Sequence, residues 1–234
     1  STAVGFPMVI SSPGILKPFS MLHSGGKVFF LYVNFSDSRI HMKTYDGSVL
    51  DEQIFSNTDL DAAFGVAGCT FKHNSEEYIA LTYARSTSEI SIVTFKSDEF
   101  PNTATFTLNI GTFDSFSVPI THNPRTGIFA LTWTDLAGNA YHKSGTMTSP
   151  GNFSFSATSP PFGGNFERNL SSSILSLNNF ENSIVVPAKN AVNKMSSYFL
   201  HGSNPPTLAK DFATTGYTAQ FPYFSNGTHY LGLL

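Results

Sequence analysis

Hydrophobic residues occur along the chain in short runs, and segments rich in Gly, Pro, Asn, Asp or Ser lie between many of them. The runs are nearly all apolar and rich in β-branched or aromatic residues, which is typical of strands covered on both faces. No segment shows the long 3.6-residue apolar period, with caps, of an amphipathic helix. The pattern therefore predicts an all-β protein with almost no helix.

The apolar runs recur at a spacing of about fifty residues. Leu31, Leu81 and Leu131 lie fifty positions apart in runs that resemble one another, and shorter copies follow at 183–186 and 229–232. Nine and fourteen positions after each of the three leucines, and after Val186 in the fourth copy, mostly apolar residues appear again. Because loop lengths usually drift between repeats, a preserved offset indicates one hairpin that is copied along the chain.

Each copy is predicted to hold four strands, named a to d, of which b and c form the copied hairpin. The predicted a strands are 19–23, 69–73, 116–122 and 173–178. The predicted d strands are 51–55, 104–108, 153–157 and 208–212. Turn-forming residues such as Gly25–Gly26 and Asn74–Ser75 separate strand a from strand b, which supports these boundaries.

Four antiparallel strands repeated at about 40–50 residues resemble the blades of the β-propeller superfamily. The resemblance implies one domain over residues 1–234. Its repeats lie at approximately 14–56, 64–110, 113–159, 166–213, and 217–234 together with 3–11. A β-sandwich is the alternative fold, but it would not predict the copied hairpin.

The blade count leaves a remainder at the chain ends. The segment 217–234 supplies only strands a and b of a fifth blade, and Ala3–Ile10 stands where a d strand belongs. We therefore expect a five-bladed ring of four-stranded antiparallel blades, with the last blade closed by pairing of Ala3–Ile10 with Thr228–Leu234. Its missing strand c leaves three alternatives: a three-stranded blade, a natural chain that continues past Leu234, or a strand added by a partner.

Composition narrows the class of protein. Only 12% of the residues are charged while 14% are aromatic, and disordered chains have the opposite character. Thirteen Lys and Arg against sixteen Asp and Glu give a net charge of -3, so no nucleic-acid partner is expected. The single cysteine, Cys69, excludes an internal disulfide scaffold and a multi-thiolate metal site. No apolar run approaches the ~18 residues of a membrane-spanning helix.

Ionisable residues are predicted to gather on one face. In a blade that runs from the centre outwards, the d-to-a connections and the b-to-c loops share a face, where a propeller would bind a ligand around its channel. The alternative is that these are ordinary polar loops. The candidate ligand-binding residues are Asp61, Asp114, Glu167, Arg168 and Asp135.

Histidines recur near the end of strand a. His23, His73 and His122 each precede Ser or Asn, and Asn178 takes that place in the fourth repeat. Three histidines suit zinc by residue type, but each belongs to a different blade, whereas zinc ligands must converge to within ~2.1 Å of the ion. We therefore expect these side chains to bond to the turn backbone. No metal site, catalytic residue or cofactor is predicted.

The leading functional hypothesis is a carbohydrate-binding protein whose partner is a glycan or glycoprotein. Aromatic side chains beside Asn, Asp and Ser in pockets between blades would give several weak sites and hence avidity. Known propeller lectins resemble this chain in size and repeat, but they carry repeated tryptophans, and Trp133 is alone here. Because Tyr83 and Val33 hold the matching positions, Trp133 is expected in the core.

Two other functional classes stay open. A structural or adhesive subunit would associate with itself or a partner through the incomplete fifth blade, by strand addition. A five-bladed glycoside hydrolase would need two carboxyl groups about 5–9.5 Å apart, and the cores of the predicted inner strands hold none.

An extracellular or cell-surface location is expected from the low charge and the abundance of Ser, Thr and Asn. Glycosylation sequons begin at Asn34, Asn152, Asn169 and Asn226. About as many would arise by chance in such a composition, so they are compatible with secretion without demonstrating it.

Overall fold

The computed structural model describes residues 20–34, 36–48, 50–55, 64–100, 103–114, 118–161, 183–189, 195–201, 207–212, 220–225 and 228–233. Within these ranges every regular element is a β-strand, as the apolar pattern predicted. The described part of the chain has no helix of a length and hydropathy suited to crossing a membrane.

The first three sheets are four-stranded antiparallel meanders, which confirms the predicted blade pattern. Sheet 1 consists of β1 (Ser20–Ser24), β2 (Lys27–Asn34), β3 (Arg39–Tyr45) and β4 (Leu50–Ile54). Sheet 2 consists of β5 (Val66–His73), β6 (Glu76–Ala84), β7 (Glu89–Lys96) and β8 (Thr103–Asn109). Sheet 3 consists of β9 (Ile120–Asn123), β10 (Ile128–Thr134), β11 (Ala140–Ser149) and β12 (Asn152–Phe155). In each, the four strands correspond to strands a to d.

Strands of two further sheets follow. Sheet 4 consists of β13 (Ser183–Lys189), β14 (Met195–His201) and β15 (Thr207–Phe212), which match the predicted strands b, c and d of the fourth repeat. Sheet 5 is a hairpin of β16 (Gln220–Ser225) and β17 (Thr228–Leu233). The strands predicted at 173–178 and at 3–10 lie outside the described residues.

The first two a-to-b turns are two-residue hairpin loops with positive φ at both positions. Gly25 and Gly26 have φ of 58° and 74°, and Asn74 and Ser75 have φ of 50° and 67°. This is the backbone of a type I′ turn, whose twist matches that of the flanking strands. Turn composition therefore located both hairpins correctly.

Strand b is the buried centre of each sheet. The five residues from Phe29 to Val33 are each 0–4% exposed, so both faces of β2 are covered. Leu31 packs with Leu81 in a cluster between sheets 1 and 2, while Ala80 packs with Leu131 between sheets 2 and 3. The inner strands β1, β5 and β9 contact one another in that order. The sheets thus stack face to face around their first strands, as blades do.

The fifty-residue spacing conceals a difference of one residue in register. Strand c has residues that lie fifty positions apart in sheets 1, 2 and 3. Their partners on strand b are Phe30, Leu81 and Leu131, so the partner in sheet 1 is Phe30 and not Leu31. The b-to-c loop of sheet 1 is one residue longer than that of sheet 2, and a shift of one residue turns a side chain to the other face. Equating Leu31 with Leu81 is therefore wrong in three dimensions, although both are core residues.

Candidate functional site

Two pockets open between neighbouring sheets, on the face formed by the a-to-b and c-to-d turns. The pocket between sheets 1 and 2, here the 1–2 pocket, has a volume of about 200 Å³. Its lining residues are Lys27, Phe29, Met42, Thr44, Asp46, Asp51, Gln53, Ser97, Asp98 and Phe100. The pocket between sheets 2 and 3, here the 2–3 pocket, has a volume of about 470 Å³. Its lining residues are Tyr78, Thr94, Phe95, Lys96, Glu99, Thr103, Ala104 and Pro150.

The two pockets occupy equivalent positions in the repeat. Thr44 and Thr94 lie fifty residues apart on strand c, and each lines the pocket on the side of the next sheet. Phe100 and Pro150, also fifty residues apart, contribute from the c-to-d loop of that next sheet. The same kind of cleft therefore forms at two sheet interfaces, that between sheets 1 and 2 and that between sheets 2 and 3.

The 1–2 pocket has an apolar floor held rigidly by its surroundings. Phe29 and Met42 are each 1% exposed. The ring of Phe100 makes edge contacts with Phe55 and Phe95, at centroid distances of 4.6 and 5.4 Å. An aromatic ring fixed in this way offers a preformed apolar surface, as ligand pockets usually do.

Carboxylates surround the mouth of the 1–2 pocket. Asp46, Asp51 and Asp98 are exposed at its rim, with Lys27 the single cation among the described lining residues. Gln53 donates to the Asp51 carboxylate at 3.4 Å, and its own Oε1 is buried without a hydrogen-bond partner among the described residues. A ligand that donates a hydrogen bond to such an acceptor would be bound more tightly, because the bond would satisfy a buried polar atom.

Charges in the 2–3 pocket are balanced by one another. Lys96 Nζ lies 2.8 Å from Glu76 Oε1 and 2.9 Å from Glu99 Oε1. The hydrogen bond from Lys96 lowers the pKa of Glu76, and the two carboxylates raise the pKa of Lys96. Tyr78 also donates to Glu76, at 3.3 Å. Glu76 lies outside the described lining, so that lining carries one cation and one carboxylate, whereas the described lining of the 1–2 pocket carries one cation and three carboxylates.

Two of the predicted ligand-binding residues lie close together on the opposite face. The backbone N–H of Asp114, in the connection between sheets 2 and 3, donates to the carbonyl of Thr134 at 2.8 Å. Asp135 follows Thr134 directly, in the b-to-c loop of sheet 3. The d-to-a connection and the b-to-c loop therefore do share a face. Asp61, Glu167 and Arg168 lie outside the described residues.

Asp135 organises its own loop. Its Oδ1 accepts from the N–H groups of Ala137 and Asn139, both at 2.9 Å. Its Oδ2 accepts from Asn139 Nδ2 at 3.0 Å and from the Tyr141 hydroxyl at 2.9 Å. Burial raises the pKa of Asp135, but these hydrogen bonds outweigh burial and hold the pKa below its usual range. The carboxylate stabilises the hairpin tip, which is a structural role.

The three histidines at the ends of the a strands do not share one position. Judged by their partners on strand b, His23 and His122 are equivalent, whereas His73 lies three residues further along its strand. The bond to the turn backbone belongs instead to Asn123, whose Oδ1 accepts from the N–H of Arg125 at 2.9 Å. No group of three potential metal-ligating side chains occurs among the described residues.

His122 packs as an aromatic ring between blades. Its ring lies 4.6 Å from that of Phe129 and 5.7 Å from that of Phe71, between centroids. Burial lowers its pKa to about 4, so the side chain is neutral at physiological pH. The predicted turn contact is therefore wrong for His122, which belongs to the interface of sheets 2 and 3.

A further cluster on sheet 1 was not anticipated from the sequence. The buried His41 ring lies between two carboxylates, with Nε2 2.8 Å from Asp37 Oδ2 and Nδ1 3.0 Å from Glu52 Oε1. Tyr32 also donates to Glu52 Oε1, at 2.8 Å. The hydrogen bond from His41 lowers the pKa of Glu52. Tyr32, His41 and Glu52 come from three neighbouring strands whose register brings them together, so their spacing in the sequence gave no signal.

Trp133 is 1% exposed and stacks on Tyr141 within the core between sheets 2 and 3, which confirms its prediction as a core residue. Cys69 is a free thiol on the inner strand β5, and burial raises its pKa. Neither side chain lines a pocket described above.

Comparisons with known proteins identify a fold and no family. No protein-family model matches the sequence, and no curated protein matches it. Solved structures do match in three dimensions. The SapL1 lectin, solved with alpha methyl fucoside, has a TM-score of 0.64 at 11% identity, over 93% of this chain and 71% of that one. A fucose-specific lectin from Aleuria aurantia has a TM-score of 0.58 at 10% identity, over 92% of this chain and 76% of that one.

An enzyme also resembles the chain. A glycoside hydrolase family 43 arabinoxylan arabinofuranohydrolase from Bacillus subtilis, solved with cellotetraose, has a TM-score of 0.53 at 12% identity, over 91% of this chain and 57% of that one. Because one fold hosts unrelated activities, likeness at this level of identity bears on fold alone. The fold of this chain is all-β and β-propeller-like, built from four-stranded antiparallel sheets.

Proposed function

We propose that this protein is a lectin-like carbohydrate-binding propeller that holds saccharides in the pockets between its blades. The observation that carries the proposal is the recurrence of one pocket, with Thr44 and Thr94 at equivalent places. An apolar floor beside hydroxyl, amide and carboxylate groups suits a sugar, which has apolar ring faces and polar edges.

Likeness to two fucose-binding lectins supports this proposal through the shared fold. In this view the repeat gives several sites of modest affinity, and a glycan or glycoprotein that displays several sugar groups binds with avidity. The candidate residues Asp61, Asp114, Glu167, Arg168 and Asp135 on the opposite face are secondary in this proposal. Binding of external glycans agrees with the extracellular or cell-surface location that we also propose.

We further propose that five blades close into a ring, with Ala3–Ile10 completing the sheet that contains β16 and β17. A two-stranded β16–β17 hairpin with an unpaired edge would be a site for strand addition. The N-terminal strand covers that edge in this proposal. Association of the chain with itself or a partner at the fifth blade is the alternative use of the same edge.

A glycoside hydrolase is the second candidate, favoured by the likeness to the family 43 enzyme. That chemistry needs a pair of carboxyl groups across the sugar. The inner strands β1, β5 and β9 carry no Asp or Glu. Binding without turnover is therefore the function that the described residues support better.

The test is a glycan array probed with the full chain, followed by incubation of each bound glycan with the protein. We expect binding to a subset of saccharides, alpha methyl fucoside among the first to be tried, with no release of sugar. An array without any bound glycan would contradict the proposal, and glycan cleavage would favour the enzyme.

A further inference from the structure

The two equivalent pockets differ in charge, and this difference points to different ligands. The described lining of the 1–2 pocket has three carboxylates, those of Asp46, Asp51 and Asp98, and one ammonium, that of Lys27. At neutral pH its lining therefore has a formal charge of about -2. The described lining of the 2–3 pocket has no such excess, because its one ammonium, that of Lys96, is matched by its one carboxylate, that of Glu99.

We propose that the 1–2 pocket selects a saccharide that carries a protonated amine, that is, an amino sugar with a free amino group. The proposal rests on the carbohydrate-binding function proposed above and names the ligand class of one pocket. The sugar ring would lie against Phe100 and the apolar floor. Its ammonium group would face the rim carboxylates.

The arrangement of the carboxylates favours an extended cationic ligand over a metal ion. A divalent cation needs several oxygens at about 2.0–2.6 Å from one point, and no group of three candidate ligands converges in that way among the described residues. Asp46 accepts hydrogen bonds from Ser48 within the c-to-d turn, and Asp51 accepts one from the N–H of Glu52 on β4. They are thus fixed in place, and a carboxylate has lone pairs left to accept from an ammonium group.

Neutral polar groups in the pocket match the rest of an amino sugar. The buried Gln53 Oε1 is an acceptor, and the Thr44 and Ser97 hydroxyls are both donors and acceptors. The volume of about 200 Å³ suits one or two sugar units rather than a polymer segment enclosed on all sides. Recognition by the ring and by the charge together distinguishes an amino sugar from a plain polyamine.

The experiment compares two oligosaccharides by calorimetric titration of the full chain. One is a tetramer of β-1,4-linked glucosamine with free amines, and the other is its fully N-acetylated counterpart, which has the same backbone without the charges. We expect the free-amine tetramer to bind about fivefold to tenfold more tightly at low salt, and the preference to shrink as salt rises.

Two variants locate the effect. Asp98→Asn removes one exposed rim carboxylate of three and is expected to reduce the preference about twofold, with the affinity for the N-acetylated tetramer unchanged. Glu89→Gln removes one carboxylate from the opposite face and is expected to keep the wild-type preference. A preference that both substitutions reduce equally would indicate a general field effect and overturn the assignment.

The remaining outcomes separate this proposal from the proposed function. Equal affinity for the two tetramers overturns the amino-sugar assignment, while carbohydrate binding stands. Failure of every saccharide on the array overturns both. Spermine that competes with the free-amine tetramer at equal affinity shows that the sugar ring is not recognised, and that result also overturns the amino-sugar assignment.

Discussion

Burial of the His122 ring against Phe71 and Phe129 makes its protonation unfavourable in the folded state, and its pKa falls to about 4. The same imidazole in an unfolded chain has a pKa near 6.5. Above that value the ring is neutral in both states and pH has no effect through it. Between about pH 6.5 and pH 4 the unfolded state binds a proton that the folded state does not, so this residue makes stability fall as pH falls.

His122→Phe is therefore expected to flatten the acid limb of the stability curve. Because the shift in pKa covers more than two units, the wild type should lose on the order of 2–3 kcal/mol through this residue between pH 7.5 and pH 4. The measurement is urea unfolding of both proteins across that range. Carboxylates affect both proteins alike, so the difference between them isolates the histidine, and parallel pH profiles would contradict the account.

A variant of Asp135 can show whether this carboxylate, which was predicted to bind a ligand, has a structural role instead. Asp135→Ala removes the acceptor for two N–H groups and for the Tyr141 hydroxyl. We expect the free energy of unfolding to fall by about 1–2 kcal/mol, with glycan affinity unchanged. Thermal unfolding and glycan titration of the same variant give both quantities. A loss of binding at unchanged stability would restore Asp135 as a ligand-binding residue.

Strands were predictable at the scale of elements because each one carries its own signal. The run around Leu81 is apolar at successive positions, which is the signal of a covered strand. The two-residue turn before it needs residues that adopt positive φ. Each of these signals can be read from one repeat alone. Register carries no such local signal. One extra residue in the b-to-c loop of sheet 1 turns Leu31 towards sheet 2, although its spacing from Leu81 predicted equivalence.

The same limit explains why the pockets were not located from the sequence. Their walls come from strand c of one sheet and the c-to-d loop of the next, as with Thr44 and Phe100. Pockets between blades were predicted in general terms. Which side chains line the pockets depends on packing between sheets. The sequence shows that Thr44 and Thr94 lie fifty residues apart, but it does not show that both line pockets. The His41 cluster depends on register in the same way.

A close contact between sheets 2 and 3 gives a test at this scale. Gly151 has φ of +77°, and a Cβ built there would lie 2.5 Å from the Cβ of Ala104. Gly111 has nearly the same φ, +79°, with no atom within 4 Å of such a Cβ. Gly111→Ala is expected to cost about 1–2 kcal/mol of stability through backbone strain alone, and Gly151→Ala clearly more, because it also forces the sheets apart.

Chemical denaturation of the two glycine variants measures the difference. Adding Ala104→Gly to Gly151→Ala should recover the part of the loss that comes from the contact. Equal losses for the two single variants would show that sheets 2 and 3 do not pack here as described.

Ring closure is a property of the whole molecule. Sheets 1, 2 and 3 stack through their inner strands β1, β5 and β9. In a complete ring, the last blade covers the face of sheet 1 that points away from sheet 2. The proposed pairing of Ala3–Ile10 with Thr228–Leu234 predicts cross-strand nuclear Overhauser effects between backbone protons of the two segments. Contacts of either segment with a different strand, in place of these, would refute the proposed closure.

Sugar binding in the pockets between blades can be tested by blocking each pocket with a large side chain. Thr44→Trp fills the wall of the 1–2 pocket and Thr103→Trp that of the 2–3 pocket, while Ala137→Trp adds the same side chain to the exposed loop on the opposite face. The measurement is calorimetric titration of the three folded variants and the wild type with a glycan that the array selects. We predict that each pocket variant loses binding sites and that Ala137→Trp binds like the wild type. A double variant that carries both Thr44→Trp and Thr103→Trp is expected to lose the sites of both pockets. Full binding by the double pocket variant, or loss of binding by Ala137→Trp, would contradict the account.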